Sequence, residues 1–340
     1  MKKVVGLGDM LVRLSPEGYL RFIQAGHMLV NYTGAEANVC VSLAHLGVKT
    51  EFVTRLPRNA IAECAVAELR KHNVATDHIA YGGERIGVFY AEKGASQRPS
   101  AIVYDRKHTS IATAAPSDFD WDDIFCDAGY FHITGITPAL SETSPAVCLD
   151  ALRSARAHGL TVSCDLNYRS KMWTPDEARA VMVQLLPYVD VLIANEEDAE
   201  KVLGIHAEGS DVQNGRLSRD GYHEVARRLC EMFPFKAVAI TLRSSVSASD
   251  NIWGAMYYTN SAAYFSRTYQ VHIVDRIGGG DSFAAGLLYG IGHSLAPQDI
   301  IEFAAAASCL KHSIEFDYNL VNAEEVMNLV RGNTSGRVQR

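Results

Sequence analysis

The chain has 340 residues, of which 48% are hydrophobic and 21% charged, as in an ordinary globular protein with a large core or two domains. Its net charge is -7 and no cluster of Lys and Arg stands out, which argues against a nucleic-acid partner. No apolar run reaches the ~18 residues that cross a bilayer, so we expect no membrane partner.

The first predicted strand covers residues 4–8 and contains Gly6-x-Gly8, a pattern that invites a dinucleotide-binding interpretation. Leu11 stands where the third glycine of that motif would be. Pro16 follows soon after, so no helix opens where a pyrophosphate would bind. A nicotinamide or flavin site is therefore excluded as the main interpretation.

Beyond this strand, helical and strand-like patterns alternate along the chain. Helical spacing is found at 35–46, 61–72, 145–158, 178–186, 222–232 and 282–291, and strand-like runs at 51–55, 131–135, 161–166, 189–194 and 237–242. The alternation predicts an α/β protein whose mostly parallel sheet is covered by helices on both faces. In such open sheets the ligand binds beyond the carboxyl ends of the strands.

Two stretches, 13–31 and 86–106, carry strand patterns with no helix between them. Runs 86–92 and 101–105 flank a polar segment with Gly94 and Pro99, which predicts a hairpin with a long loop. We interpret these stretches as a small β lid that excludes water from a site, and a pair of ordinary edge strands is the alternative. The core would then comprise 1–12, 32–85 and 107–330, followed by a flexible tail at 331–340.

The seven cysteines are odd in number and far apart, and none forms a Cys-x-x-Cys pair. Most lie inside apolar runs, so we expect reduced core thiols and a cytoplasmic location. The twelve histidines lack the His-x-x-x-His and His-Glu-x-x-His spacings, which argues against zinc. No export signal follows Met1, because Asp9 and Arg13 interrupt the first apolar stretch.

The segment 275–286 holds three consecutive glycines, Gly278, Gly279 and Gly280, between an apolar run and a helical one. Glycines let backbone N–H groups turn toward an anion, and the following helix adds its positive end. Asp281 lies where these groups converge, so it could accept a proton from a hydroxyl that attacks a phosphoryl group. The alternative is a structural turn in which Asp281 caps the helix.

Other polar side chains follow predicted strands. Asn167 and Arg169 come after the strand at 161–166, and Arg106 ends the second lid strand. Arginine suits bidentate binding of a carboxylate, although a solvated surface charge is the alternative. Two arginines from separate segments favour a sugar acid over a neutral sugar.

Two further strand ends carry residues suited to a nucleotide. Asn195 and Asp198 follow the strand at 189–194, where an acidic helix N-terminus is the alternative interpretation. The segment 241–251 is rich in hydroxyl groups, and a solvated loop competes with a nucleotide-binding role.

The phrase Asp275-Arg276-x-Gly278-Gly279-Gly280-Asp281 resembles the C-terminal signature Asp-Thr-x-Gly-Ala-Gly-Asp of the ribokinase-like (PfkB) carbohydrate kinases. It departs from that signature at Arg276 and Gly279. Gly34 and Asn38, followed by the Leu-Gly pair at 46–47, resemble the N-terminal signature, with Thr33 in place of its first glycine.

The runs 134–141 and 165–173, together with the Arg276 form of the signature, resemble the branch of this family that phosphorylates 2-keto-3-deoxygluconate. This resemblance, which spans about 4–330, implies a three-layer α/β/α core with a β lid. It also implies transfer of phosphate from ATP to the 6-hydroxyl of that sugar acid. A family kinase for a neutral sugar such as fructose or ribose is the alternative, and a sugar-acid sensor without catalysis is a third interpretation.

The resemblance further implies ATP and Mg²⁺ as cofactors, a K⁺ site near Asp275 and a homo-oligomer of two or more subunits. Asp281 would be the catalytic base, ionised at neutral pH because the helix N-terminus favours its charge. The glycines Gly278, Gly279 and Gly280 would form an anion hole.

The implied substrate contacts are Gly34, Ala35, Asn38, Tyr90, Tyr104, Arg106, Asn167, Arg169, Asp281 and Asp317, the last of which could instead cap a turn. The implied ATP contacts are Asn195, Thr241, Arg243, Ser247, Ser249, Gly278 and Gly280. Magnesium would be held through phosphates and water, with Asn195 and Asp198 nearby.

Overall fold

The computed structural model describes residues 1–195, 197–209 and 218–333. The end of the predicted flexible tail, from residue 334 on, lies outside the described residues.

The described residues contain strands that fall into three sheets. The strands are β1 (Lys3–Leu7), β2 (Leu11–Ser15), β3 (Leu29–Thr33), β4 (Thr50–Val53), β5 (Arg55–Leu56), β6 (Val74–Ala75), β7 (Ala80–Tyr81), β8 (Gly87–Glu92), β9 (Ala101–Asp105), β10 (Ala128–Thr134), β11 (Thr161–Asp165), β12 (Val191–Ala194), β13 (Ala237–Ser245), β14 (Asp250–Thr259), β15 (Ala262–Phe265) and β16 (Tyr269–His272). The α-helices are α1 (Ala35–His45), α2 (Ala60–Lys71), α3 (Trp121–Phe125), α4 (Ser144–Ala157), α5 (Pro175–Leu185), α6 (Asp198–Leu203), α7 (Arg219–Met232), α8 (Gly279–Gly292), α9 (Pro297–Lys311) and α10 (Ala323–Val330).

The main sheet runs in the order β15-β14-β13-β12-β11-β10-β1-β4-β6, with β16 also paired to β14. From β13 to β6 all neighbours are parallel, whereas β14, β15 and β16 add an antiparallel edge. The predicted α/β class with a mostly parallel sheet is therefore confirmed. Sequence reasoning predicted the parallel strands but missed the antiparallel edge.

Helices cover both faces of this sheet because its buried strands alternate their apolar side chains between two cores. Leu192 and Ala194 of β12 pack in a core with α4, α5 and α7, whereas Val191 and Ile193 pack in another with α1, α8 and α9. This arrangement is a three-layer α/β/α sandwich, as predicted. Its parallel strands all end at one edge, where loops from different strands meet.

A separate small sheet has the order β3-β2-β8-β9, and we call it the small sheet below. Its strands lie within 11–33 and 87–105, close to the stretches predicted as a lid. The pair β2–β8 is parallel, and the pairs β2–β3 and β8–β9 are antiparallel. Phe89 lies opposite Tyr104 on one face, and Tyr90 lies opposite Val103 on the other.

Candidate active site

A cavity of about 300 Å³ opens beyond the carboxyl ends of the parallel strands, beneath the small sheet. Residues that follow separate strands line it: Asp9 follows β1, Asn167 follows β11 and Asn195 follows β12. Thr241 of β13 lines the same cavity. The site therefore lies where the sheet topology predicts it.

The glycine segment forms one end of the cavity. Gly278 precedes α8 with φ at +85°, a conformation that suits glycine, and a side chain there would meet the Asp317 carbonyl oxygen at 1.9 Å. The first helical bond runs from the Ser282 N–H to the Gly278 carbonyl oxygen at 2.9 Å. The first turn of α8 thus leaves the N–H groups of Gly280 and Asp281 without a partner inside the helix.

Gly279 is part of this corner but contributes less than predicted. Its N–H lies 3.4 Å from the Arg276 carbonyl oxygen and is directed toward it. A side chain at Gly279 would meet the His312 ring at 2.7 Å, whereas one at Gly280 would meet no heavy atom within 4 Å. The open space beside Gly280 marks where an anion can approach the helix N-terminus.

Asp281 occupies the third position of α8, faces the cavity and is 9% exposed. The Asn38 Nδ2 atom donates a hydrogen bond to Asp281 Oδ2 at 2.7 Å. Burial raises the pKa of Asp281 to about 7, although Asn38 and Arg169 act in the opposite direction. The expectation of an ionised carboxylate at neutral pH needs correction, because the desolvation cost exceeds the help from these partners and the helix.

Another part of the cavity, which we call the sugar end, is built from charged side chains. The Arg106 Nη2 atom donates to Asp9 Oδ2 at 2.8 Å, and the Arg106 guanidinium lies 5.5 Å from the centre of the Tyr104 ring. Burial raises the pKa of Asp9, and the Arg106 charge opposes this effect. Arg169 lines the same cavity, and its charge acts on Asp165, Asp198 and Asp281. The two predicted arginines therefore converge on one cavity.

The start of α1 completes this end. Gly34 precedes α1 in an extended conformation, and a side chain there would meet the Asp9 carbonyl oxygen at 2.1 Å. Ala35 and Asn38 line the cavity from the helix itself. The close approach to Asp9 explains why glycine is required at position 34.

Asn167 has a structural role beside its place in the cavity wall. Its N–H donates to Asp165 Oδ1 at 2.9 Å, and its φ is +40°, which asparagine tolerates better than most residues. Asp165 also lines the cavity, and burial followed by the charges of Asp198 and Asp281 raises its pKa well above the ordinary value.

Asn195 and Asp198 lie in the cavity wall, where they also stabilise the start of α6. The Asn195 Oδ1 atom accepts from the N–H groups of Glu197 at 2.8 Å and Asp198 at 3.0 Å, and Asp198 Oδ2 accepts from the Asn195 N–H. Together with Asp165 and Asp281, Asp198 brings a third repelling carboxylate to one cavity. Among the described residues no three acidic, His or Cys side chains are arranged to hold a metal ion directly, so a Mg²⁺ ion here would be bound through water and phosphates, and its charge would relieve this repulsion.

At the phosphate-facing end, Thr241 and Arg243 line the cavity together with Arg276. Burial and the charge of Arg243 lower the pKa of Arg276. The Arg276 Nη2 atom donates to the Ala248 carbonyl oxygen at 3.1 Å. Two arginines that repel each other next to a helix N-terminus make a strong anion site.

Three predicted contact residues lie outside the cavity wall. Tyr90 points to the other face of the small sheet, because side chains alternate along β8 and its neighbour Phe89 lines the cavity instead. Ser247 stabilises the turn between β13 and β14, where its hydroxyl accepts from the N–H groups of Ser249 and Asp250. The Ser249 hydroxyl accepts from the Ser96 N–H at 2.9 Å, so both serines serve loop structure rather than ligand contact.

Asp317 reaches the cavity, but its carboxylate is occupied by the protein. Arg13 Nη1 donates to Oδ1, and Thr33 Oγ1 lies 2.7 Å from Oδ2. Asp317 is 1% exposed, so its role as a direct sugar contact gives way to that of holding Thr33 and Arg13.

Sequence reasoning missed several cavity residues. They include Asp9, Phe89, Asp165, Asn251, Trp253 and Arg276. Asp9 and Asp165 could have been found from the rule that ligands lie beyond strand ends. Arg276 was visible as a departure from the family signature, and Phe89 carried no signal that set it apart from Tyr90.

The chain matches the model of "pfkB family carbohydrate kinase" over residues 1–313. It is 31% identical to a 2-dehydro-3-deoxygalactonokinase of Haloferax volcanii, covering 98% of both chains. A crystal structure of a 2-dehydro-3-deoxygluconokinase from Thermotoga maritima superposes with a TM-score of 0.94 at 49% identity, covering 98% of this chain and 100% of that one.

A putative ribokinase II from E. coli, solved with ATP and Mg²⁺, shares the fold at 19% identity with a TM-score of 0.79, covering 97% of this chain and 99% of that one. Gly278, Gly279 and Gly280, which we call the glycine corner, lie within the matched range, as do Asp281 and helix α1. The chain belongs to the pfkB family of carbohydrate kinases.

Proposed function

We propose that this protein transfers the γ-phosphoryl group of ATP to the 6-hydroxyl of 2-keto-3-deoxygluconate. The observation that carries the proposal is that Asp281 lines one cavity together with the glycine corner and the arginines Arg106 and Arg169, and that the Arg169 charge acts on it. The substrate named for the Thermotoga maritima relative and the two arginines both favour a sugar acid over fructose or ribose.

Asp281 accepts the proton of the 6-hydroxyl as its oxygen attacks the γ-phosphorus atom, and the bond to the β-phosphate oxygen breaks. A pKa of about 7 suits this transfer, since a base works best when its pKa lies near the working pH. The N–H groups at the start of α8, among them those of Gly280 and Asp281, face the charge on the transferred phosphoryl group, and Gly279 contributes less because its N–H is directed at the Arg276 carbonyl oxygen.

Asp165, Asp198 and Asn195 surround the place where Mg²⁺ would be held through water and phosphates. When bound, the ion neutralises negative charge on the phosphates. Arg243 and Arg276 add positive charge at the same end of the cavity. Thr241 also contacts the nucleotide at this end of the cavity.

At the sugar end, Arg169 and Arg106 bind the carboxylate of the substrate, and Asn38, Asn167 and Tyr104 contact its hydroxyl and keto groups. Arg106 is held by Asp9 at 2.8 Å, which orients its guanidinium before the sugar acid arrives. The small sheet above this end acts as a lid, with boundaries at 13–31 and 86–106, and excludes water from the phosphoryl group.

The test is an ADP-release assay with purified enzyme, ATP and Mg²⁺ across a panel of sugar acids and neutral sugars. The panel includes 2-keto-3-deoxygluconate, its galactonate epimer, fructose and ribose. We expect kcat/KM for the sugar acids to exceed that for the neutral sugars by at least ~10²-fold, since the charged contacts lack a partner in a neutral sugar. If a neutral sugar is the best substrate, the proposed specificity is refuted. If no sugar causes ADP release, the proposed kinase activity is refuted.

We also infer that two copies associate through the outer face of the small sheet. Leu14, Val30, Tyr90 and Val103 form a row across its four strands, and Val30 and Val103 are 58% and 54% exposed. An exposed apolar row on a sheet is a typical interaction surface, and a second copy would cover it with the same row. Val103→Lys should shift the mass measured by light scattering to that of a monomer, and an unchanged mass would refute this interface.

All seven cysteines are free thiols, which supports a reducing, cytoplasmic location. Among the described residues, no helix has the length and apolarity to span a bilayer.

A further inference from the structure

A fully buried lysine lies behind the glycine corner. Lys311 is the last residue of α9 and is 0% exposed. Its Nζ atom donates to the carbonyl oxygen of Asp275 at 3.3 Å and to that of Ile314 at 3.2 Å. An ammonium group in this position is costly to bury, so these oxygens and the surrounding charges must compensate for its desolvation.

Lys311 and three other buried side chains form a group with two charges of each sign, and Lys93, which also lies 4.0 Å from Asp275, is paired with Glu315. Arg13 Nη2 donates to Asp275 Oδ2 at 2.7 Å, and Arg13 Nη1 donates to Asp317. Asp275 and Asp317 raise the pKa of Lys311, whereas burial, the larger effect, lowers it. With Lys311 protonated, two cations face two carboxylates and the buried group is neutral. A neutral lysine would leave one uncompensated buried negative charge.

The position of Lys311 matters for the site because Asp275 lies directly before the glycine corner. The N–H of Val274 donates to the His312 carbonyl oxygen at 2.8 Å, so the segment after β16 is attached to the end of α9. Lys311 adds a second link between the same two segments through its contacts with Asp275 and Ile314. The ammonium group therefore helps to hold the segment that leads into the glycine corner in place against the end of α9.

These contacts do not fit the K⁺ site expected near Asp275. Backbone carbonyl oxygens are the ligands that replace the water shell of K⁺ in proteins. At Asp275 the carbonyl oxygen already binds an ammonium group of the chain, and the carboxylate already binds Arg13. A K⁺ ion placed at this carbonyl would lie next to two buried cations with no negative charge left to balance it.

We propose that the Lys311 ammonium group takes the place of a monovalent cation behind the glycine corner, so that this kinase works without K⁺. Lys311 is a positioning residue in this proposal: it contacts no substrate and acts through the segment 275–280. The turnover measurements rest on the proposed kinase function, and the melting measurements below do not.

The first experiment measures turnover of the wild-type enzyme with tetramethylammonium as the only monovalent cation, and then with KCl at constant ionic strength. We expect the rate to change by less than about twofold up to about 100 mM KCl, since the Lys311 ammonium group already occupies the carbonyl oxygens of Asp275 and Ile314. Activation by K⁺ of about fivefold or more would overturn the proposal.

The second experiment uses Lys311→Ala, which removes the ammonium group and leaves a cavity beside the same carbonyl oxygens. Without K⁺ we expect turnover to fall by about 10²-fold, because the glycine corner loses its fixed position. Adding KCl or NH₄Cl should restore at least about tenfold of that loss, and LiCl should restore less. A variant that is fully active without K⁺ would overturn the proposal, as would a loss that no cation repairs.

Melting curves supply a readout that does not depend on turnover. The melting temperature of Lys311→Ala should rise with KCl at constant ionic strength, and that of the wild type should not. The control is Lys93→Ala, because Lys93 Nζ also lies 4.0 Å from Asp275 but pairs with Glu315 near the surface. We expect the control to show no K⁺ dependence, and equal K⁺ responses in both variants would contradict a specific role for Lys311. If the wild type phosphorylates no sugar, the proposed function fails while the melting curves still decide the role of Lys311.

Discussion

The two ends of the cavity are built from different parts of the chain. The phosphate-facing end relies on backbone N–H groups at the start of α8, where a side chain at Gly278 would collide with the Asp317 carbonyl oxygen. The sugar end relies on side chains: Arg106 is paired to Asp9, and Arg169 lines the same cavity. A backbone N–H group remains after most substitutions, whereas a single substitution removes a charged side chain. The backbone donors of the glycine corner are thus fixed by the fold, whereas the base Asp281 and the residues that set specificity are side chains that one substitution can remove.

The strongest test of the phosphate-facing end is Asp281→Asn, which removes the base and keeps the shape of the side chain. We expect kcat to fall by about 10³-fold, the usual contribution of a general base. We also expect the variant to be more stable at pH 8 by at least ~1 kcal/mol. Because the pKa of Asp281 is raised to about 7, keeping it ionised above that pH costs folding free energy, and the neutral amide avoids this cost.

Steady-state turnover and thermal unfolding at pH 8 measure both effects. The matched control is Asp299→Asn, since Asp299 occupies the same third position of α9 but is exposed to solvent. The control should change turnover less than twofold and gain no stability. Near-normal turnover of Asp281→Asn would show that Asp281 is not the general base. The proposed difference in function between the two ends of the cavity would then also fail.

Gly280→Ala probes the backbone part of the same end. A methyl group at this position meets no heavy atom within 4 Å, so the variant should fold with an unchanged or higher melting temperature. It would nevertheless occupy the space next to the N–H groups, and we expect kcat to fall by about 10²-fold, as when an oxyanion donor is lost.

Gly278→Ala is the contrasting variant, because its φ of +85° and the Asp317 oxygen leave no room for a methyl group. This variant should lose stability as well as turnover, because the methyl group forces the backbone of the glycine corner to move, whereas Gly280→Ala should lose turnover alone. If Gly280→Ala keeps normal turnover, the phosphoryl group does not approach this turn of the helix.

The difference between the ends also explains what could be read from the sequence. The glycine corner and Asp281 form one local phrase, and local turns and helix starts follow from the residue types themselves. The pair Arg106–Asp9 joins residues 97 positions apart, so no local pattern reveals that Asp9 faces the site. Strand alternation showed that Phe89 and Tyr90 face opposite sides but not which side is inward. The raised pKa of Asp281 depends on burial by the whole fold, which outweighs the local helix effect that the sequence suggested.

Arg169→Ala tests whether the sugar end reads a carboxylate. We expect KM for the sugar acid to rise by about 10- to 30-fold with a smaller change in kcat, since one charge-assisted contact to the substrate is lost. KM for ATP should stay the same. Lys171→Ala is the matched control, because Lys171 lies in the same loop but donates to the Ile102 carbonyl oxygen at 2.8 Å. An unchanged KM in Arg169→Ala would favour a neutral sugar and would make the sugar end less specific than we infer.

The smallest expected effect concerns the contact that joins the two ends, the hydrogen bond from Asn38 to Asp281 at 2.7 Å. Asp281 must be ionised to accept a proton, so kcat/KM should rise with pH through an apparent pKa near 7 and level off above it. Asn38 lowers the pKa of Asp281, and Asn38→Leu should therefore move this acid limb upward by about 0.5 to 1 pH unit. At pH 8.5 most of the carboxylate is ionised in both proteins, and the difference between them should shrink to what the lost sugar contact costs. A pure sugar-binding role for Asn38 would instead lower kcat/KM by the same factor at every pH. The pH profiles of the wild type and Asn38→Leu, measured side by side, would thus separate substrate recognition from activation of the base. Asn38 is the side chain that serves both ends of the cavity.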